Sequence, residues 1–138
     1  MNRRAVGYGV LGGVAVVAFQ YAIAFLAPLD GNPWLVPYVV AINQFLSIAG
    51  YVIAGAIAGN FAGTRGALHG LAAGIGTAVV GRAFGIALAV VRYGAAAVEA
   101  MWESIEVLIV WLLISLTIAT VAGSVAVRVR AGSQRRAR

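Results

Sequence analysis

Four long apolar runs, separated by short polar connections, constrain this chain more than any other feature of its sequence. They cover residues 5–27, 35–60, 67–91 and 100–127. A helix needs about 20 mostly apolar residues to cross the hydrocarbon core of a bilayer, and each run supplies them. The connections are short enough that successive spans must run antiparallel. The expected fold is therefore all-α: an integral membrane four-helix bundle over residues 1–127, followed by a basic tail over 128–138. Composition agrees. The chain is 62% hydrophobic and 10% charged, whereas a soluble domain is about a quarter charged. A disordered chain would combine low hydrophobicity with high charge.

The few charges are sorted by position. All basic residues are Arg, and the acids are Asp30, Glu99, Glu103 and Glu106. Arg3 and Arg4 precede the first run, Arg65 lies between the second and third, and Arg128, Arg130, Arg135, Arg136 and Arg138 follow the fourth. With four spans these fall on one side. The positive-inside rule then places both termini in the cytoplasm. Trp34, Tyr38, Tyr93 and Trp102 fall near the opposite interface, where aromatic belts form. The first run resembles a signal peptide in following Arg3 and Arg4. It is longer than the usual 7–15 residue signal core, so a retained helix is the expectation.

Glycine is placed with regularity. Gly55, Gly59 and Gly63 repeat every fourth residue at the end of the second run, and Gly66, Gly70 and Gly74 repeat likewise at the start of the third. Folding about Thr64 and Arg65 sets Gly63 opposite Gly66, Gly59 opposite Gly70 and Gly55 opposite Gly74. Small residues at this spacing let helix backbones approach closely in lipid, so a static glycine-packed hairpin is expected. Gly81 and Gly85 add one more such pair.

Residues 50–70, with the Gly/Ala-rich helix end, the basic turn at Arg65 and the Gly66-x-x-His69-Gly70 opening of the next helix, resemble small four-helix prokaryotic membrane proteins of the YrzE-like type. Where that family often carries a basic residue within the Ala-Gly repeats, this chain has Ala56, Ile57 and Asn60. The resemblance implies a four-span fold in a prokaryotic cell membrane and no assigned activity.

One set of polar residues is unexplained by topology. Arg82 interrupts the third run, and an Arg at a helix centre costs about 2.5–3.5 kcal/mol on insertion scales. Intramembrane ionisable residues default to functional hypotheses. Pivoting the outer turn at Gly94 brings Glu106 to the depth of Arg82, so an Arg82–Glu106 pair is expected, with Glu103 as the substitute. Pivoting the other outer turn at Asn32 sets Gln20 opposite Gln44, beside Asn43 and a turn from Ser47. Gln20, Asn43, Gln44, Arg82, Glu106 and Glu103 thus form a candidate polar layer in the outer half. As interhelical glue such groups contribute about 0.6–2 kcal/mol; as a site they would bind a small solute or a proton.

The remaining signals point to no reaction. His69 stands near the cytoplasmic end of its span beside Arg65, an interfacial side chain contacting backbone or headgroup. A lone His in a chain without cysteine makes no metal site, and no cofactor or enzyme is expected. The tail suits anionic headgroups, at about 1 kcal/mol per basic residue. It has no interleaved aromatics for base stacking, which argues against nucleic acid. Two functions fit: a structural or interaction subunit, acting as a homo-oligomer or on a membrane protein partner; or a minimal oligomeric channel or transporter built on the layer around Arg82 and Glu106.

Overall fold

The structure, a computed structural model, describes residues 1–27, 32–94 and 105–136. Among the described residues there are four α-helices: α1 (Arg3–Leu26), α2 (Val36–Ala62), α3 (Gly66–Tyr93) and α4 (Ile105–Arg136). A 3-10 turn over Pro33–Leu35 leads into α2. Each of the four is long and apolar enough to cross a membrane.

Local chemistry sets the helix ends. Asn2 caps α1, its Oδ1 accepting the Ala5 N–H at 3.3 Å, which satisfies one of the free donors of the first turn. Ala27 leaves the helix with a ψ of 127°, the extended form forced on a residue that precedes proline. Pro37 sits in the first turn of α2, where a missing N–H costs nothing. Gly63 ends α2 at a φ of 71° and donates its N–H to the Gly59 carbonyl at 3.2 Å, a left-handed cap that suits glycine. Arg65 takes a φ of 49°, a costlier choice for a residue with a Cβ.

Helices α2 and α3 form a central pair. Helix α1 lies in the groove on one side of that pair and α4 in the groove on the other. Contacts along the interfaces fix the directions. Gly9 and Gly13 of α1 meet Ala58 and Ala54 of α2 in reverse order, while Gly13 and Val17 meet Thr77 and Gly81 of α3 in the same order. Gly55 and Gly59 meet Ala119 and Gly123 of α4 in the same order. Sequence neighbours are therefore antiparallel, and α1/α3 and α2/α4 are the parallel pairs.

The core is built from small residues. Ala54, Ala58 and Ala73 are its apolar centre, and among the described residues the largest fully buried side chain is Thr77. Large apolar groups face outward: Phe45 is 71% exposed and Leu11 68%. A water-soluble bundle buries such side chains. In a bilayer that pressure would be absent, and close backbone approach through Gly and Ala would take its place.

One sequence expectation is corrected here. The glycines of α2 and α3 do not face one another. A Cβ on Gly55 or Gly59 would strike the backbone of Ala119 or Gly123, and one on Gly66 or Gly70 would strike those same two residues. A Cβ on Gly74 would come within 2.8 Å of the Ala119 Cβ, and one on Gly63 would find only Arg130 Nη1, at 3.8 Å. Both stripes border the groove between α2 and α3, and α4 lies in it. The basic segment after residue 127 is helical, α4 continuing to Arg136, and residues 128–134 are exposed. Residues 100–104 of the fourth run lie outside the described residues.

Two arginines join parallel helices at opposite ends. Arg92 of α3 donates to the Ala24 carbonyl at 3.4 Å and to the Phe25 carbonyl, and lies 5.2 Å from the Phe25 ring centre. Arg130 of α4 donates to the Asn60 carbonyl of α2. In both cases a cation covers the last carbonyls of a helix, where the macrodipole is negative.

Candidate functional site

A cavity of 730 Å³ lies where all four helices contribute lining. Helix α1 supplies Gln20 and Tyr21, α2 supplies Ser47 and Tyr51, α3 supplies Thr77 and Arg82, and α4 supplies Trp111 and Ser115. Spacing along each helix explains the choice. Ser47 and Tyr51 are four residues apart, as are Trp111 and Ser115, so each pair shares one helical face.

Small residues shape the wall. A Cβ on Gly81 would meet Val17 Cγ1 at 2.9 Å, and one on Gly85 would meet Tyr21 Cζ at 2.5 Å. Glycine at these two positions lets α1 press its side chains into α3. The Tyr21 ring is held from the other side by Phe84, edge-on at a centroid distance of 6.0 Å.

Polar groups from all four helices meet in this lining: Tyr21 from α1, Ser47 and Tyr51 from α2, Arg82 from α3 and Ser115 from α4. Two atoms of lining residues, Gln20 Oε1 and Thr77 Oγ1, are buried within the protein and make no hydrogen bond among the described residues. Buried polar atoms without partners are uncommon in native proteins and call for a reason.

The expected layer is reproduced in part. Gln20 and Arg82 line the cavity together with Ser47. Asn43 is half-buried, with an unpartnered Oδ1, and is not among the lining residues. Gln44 is exposed and does not line the cavity. Glu106 is exposed, sits in the first turn of α4 and makes no ion pair with Arg82. Matching depths sets the height of a side chain, not the direction it faces, and that is why Gln44 and Glu106 fall away. Near the start of α4 the Glu106 carboxylate meets the positive end of the helix dipole instead. Glu99 and Glu103 lie outside the described residues. Among the described residues, no carboxylate lines the cavity.

Tyr21, Tyr51, Thr77, Trp111 and Ser115 were not singled out by sequence reasoning. Tyr, Thr and Ser carry no formal charge and do not interrupt an apolar run. The four-residue spacings of Ser47 with Tyr51 and of Trp111 with Ser115 were the available signals.

His69 is a separate feature, at the end of the bundle that holds the N-terminus. It is 4% exposed, and it contacts backbone, one of the two contacts expected of it. Its Nε2 accepts the Asn2 N–H at 2.9 Å, and its Nδ1 contacts the Arg65 carbonyl at 3.0 Å. A neutral ring with its proton on Nδ1 makes both bonds at once. The ring ties the start of α1 to the turn between α2 and α3. Arg65 itself is exposed at that turn.

No known family model matches the chain, and no curated protein or solved structure matches it.

Proposed function

We propose that this protein is a multi-pass membrane protein that binds a small solute in the cavity at Arg82 and moves it across the membrane. One observation carries the reading: a permanent cation lines a cavity shared by all four helices, open at the side where Val79 is 64% exposed, with no carboxylate beside it among the described residues. A purely structural Arg at that depth would be expected to pair with an acid. Because the cavity lies within one chain, the reading needs no pore between copies.

The proposed location is the prokaryotic cell membrane, with both termini cytoplasmic. Arginine placement supports the orientation, and the resemblance to YrzE-like proteins supports the setting. The end of the bundle holding Arg3, Arg4, Arg65 and Arg128 would face anionic headgroups. An apolar groove between α2 and α4, ending at Arg130 and Ser133, lies beside it.

A second reading, an interaction or structural subunit that self-associates or joins a membrane protein partner, is favoured by a different observation. Backbone-to-backbone contact of α4 with α2 and α3 at Ala119 and Gly123 leaves those helices no room to slide. Flux into proteoliposomes across a panel of small solutes separates the two. The transport reading expects flux in the wild type that falls at least about tenfold in Arg82→Ala, the scale of one charged contact. Silence of both proteins towards every solute leaves the structural reading.

A further inference from the structure

We propose that the cavity selects a small monovalent oxyanion of the carboxylate class, held by the guanidinium of Arg82. The inference rests on the solute-binding reading and names the chemistry of that same site. Arg82 lies about 24 Å along α3 from Gly66, in a helix about 42 Å long, so the charge sits well inside the span. Guanidinium does not deprotonate in proteins. The charge therefore needs a counter-charge, and among the described residues the lining offers none.

The groups that are present suit an anion. Tyr21, Ser47, Tyr51 and Ser115 line the same cavity as the cation and carry hydroxyls that can donate hydrogen bonds. Thr77 is fully buried, with its hydroxyl turned towards Gly13 of α1, and takes no part in the site. One net positive charge matches a monovalent ligand better than a divalent one. The planar fork of guanidinium matches two oxygens of a carboxylate better than a spherical ion. Ile86, Leu108 and Leu112 form an apolar flank, which would receive a short hydrocarbon substituent. A volume of 730 Å³ exceeds the share of a single water, about 30 Å³, many times over. It accommodates the ion with its remaining hydration.

The probe is propionate against propionamide, which has the same shape without the charge. Binding to the purified full chain in nanodiscs is followed by thermal stabilisation and by tryptophan fluorescence, since Trp111 lines the cavity. The expected result is saturable binding of propionate, none of propionamide, loss of binding in Arg82→Gln and about tenfold weaker binding in Arg82→Lys, which keeps the charge but loses the fork. Arg92→Gln, outside the cavity, should bind as the wild type does. Should Arg82→Gln fail to fold, Arg82→Lys carries the test. Equal binding of propionamide, propionate binding unchanged in Arg82→Gln and Arg82→Lys, or no binding of propionate would each overturn the proposal. So would binding that appears only in Glu103→Gln, because Glu103 would then be the native counter-charge. Equal binding of the two probes overturns the anion class and leaves solute binding standing. Propionate binding without propionate flux does the reverse: it supports the anion site and removes the transport reading.

Discussion

At the scale of single residues, His69 organises two pieces of backbone with one neutral ring. Its two nitrogens meet a donor from Asn2 and an acceptor from Arg65, and the Arg65 carbonyl also receives the Leu68 and His69 N–H groups. Removing the ring leaves the Asn2 donor unsatisfied at a part-buried site, a loss of about 1–3 kcal/mol. His69→Ala should therefore lower the unfolding midpoint and speed hydrogen exchange in the first turn of α1, leaving the far end of the bundle unchanged. Uniform exchange along α1 would contradict a local latch. The sequence marked His69 as unusual but not as buried, because a backbone partner has no sequence signature. Arg82 is the opposite case. Its interruption of an apolar run was visible at once, yet its surroundings came from uncharged Tyr, Thr and Ser residues, which periodicity alone does not single out.

At the scale of helices, small-residue stripes explain the assembly. The glycine repeats of α2 and α3 were legible as close-packing surfaces, but what they pack against was not. Two adjacent stripes can meet each other or jointly admit a third helix, and the spacing is the same in both cases. The deciding partner is Ala119 and Gly123 in α4, a small-residue pair four apart that the sequence also contains. The stripe of Ala5, Gly9 and Gly13 in α1 serves the other groove in the same way. Gly123→Ala tests the arrangement. Its Cβ would strike the Gly66 carbonyl and come within 3.0 Å of Gly70 Cα, and backbone cannot give way as a side chain tip can. The expected destabilisation is about 1–3 kcal/mol, as for overpacking of a filled core. Gly132→Ala, in the same helix with nothing within 4 Å, should be neutral or stabilising by up to about 1 kcal/mol through helix propensity. Reversible unfolding in bicelles measures both; equal effects would mean that α4 does not seat in the glycine groove.

At the scale of the whole molecule, the four helices form a rhombus with α2 and α3 across its short diagonal. The long diagonal leaves space near the middle of the bundle, where the Arg82 cavity lies, while the end near the α2–α3 turn is closed by glycine contacts. Antiparallel order and the number of spans were legible because run length and connection length fix both. The rhombus was not, because it depends on which face of each helix is smallest. The proposed orientation makes a prediction that uses the absence of cysteine from the chain: any single substitution gives one labelling site. Thr64 in the α2–α3 turn and Ser133 in the last turns of α4 are both exposed. The Arg130 bond to Asn60 places them at the same end. Trp34, 65% exposed, lies at the other. In intact cells, a membrane-impermeant maleimide should label Trp34→Cys but not Thr64→Cys or Ser133→Cys, and permeabilisation should expose all three. Inverted labelling would reverse the orientation and leave the bundle intact. Thr64→Cys and Ser133→Cys reacting from opposite faces would remove the four-span arrangement itself, because the bond between α4 and the end of α2 requires a common side.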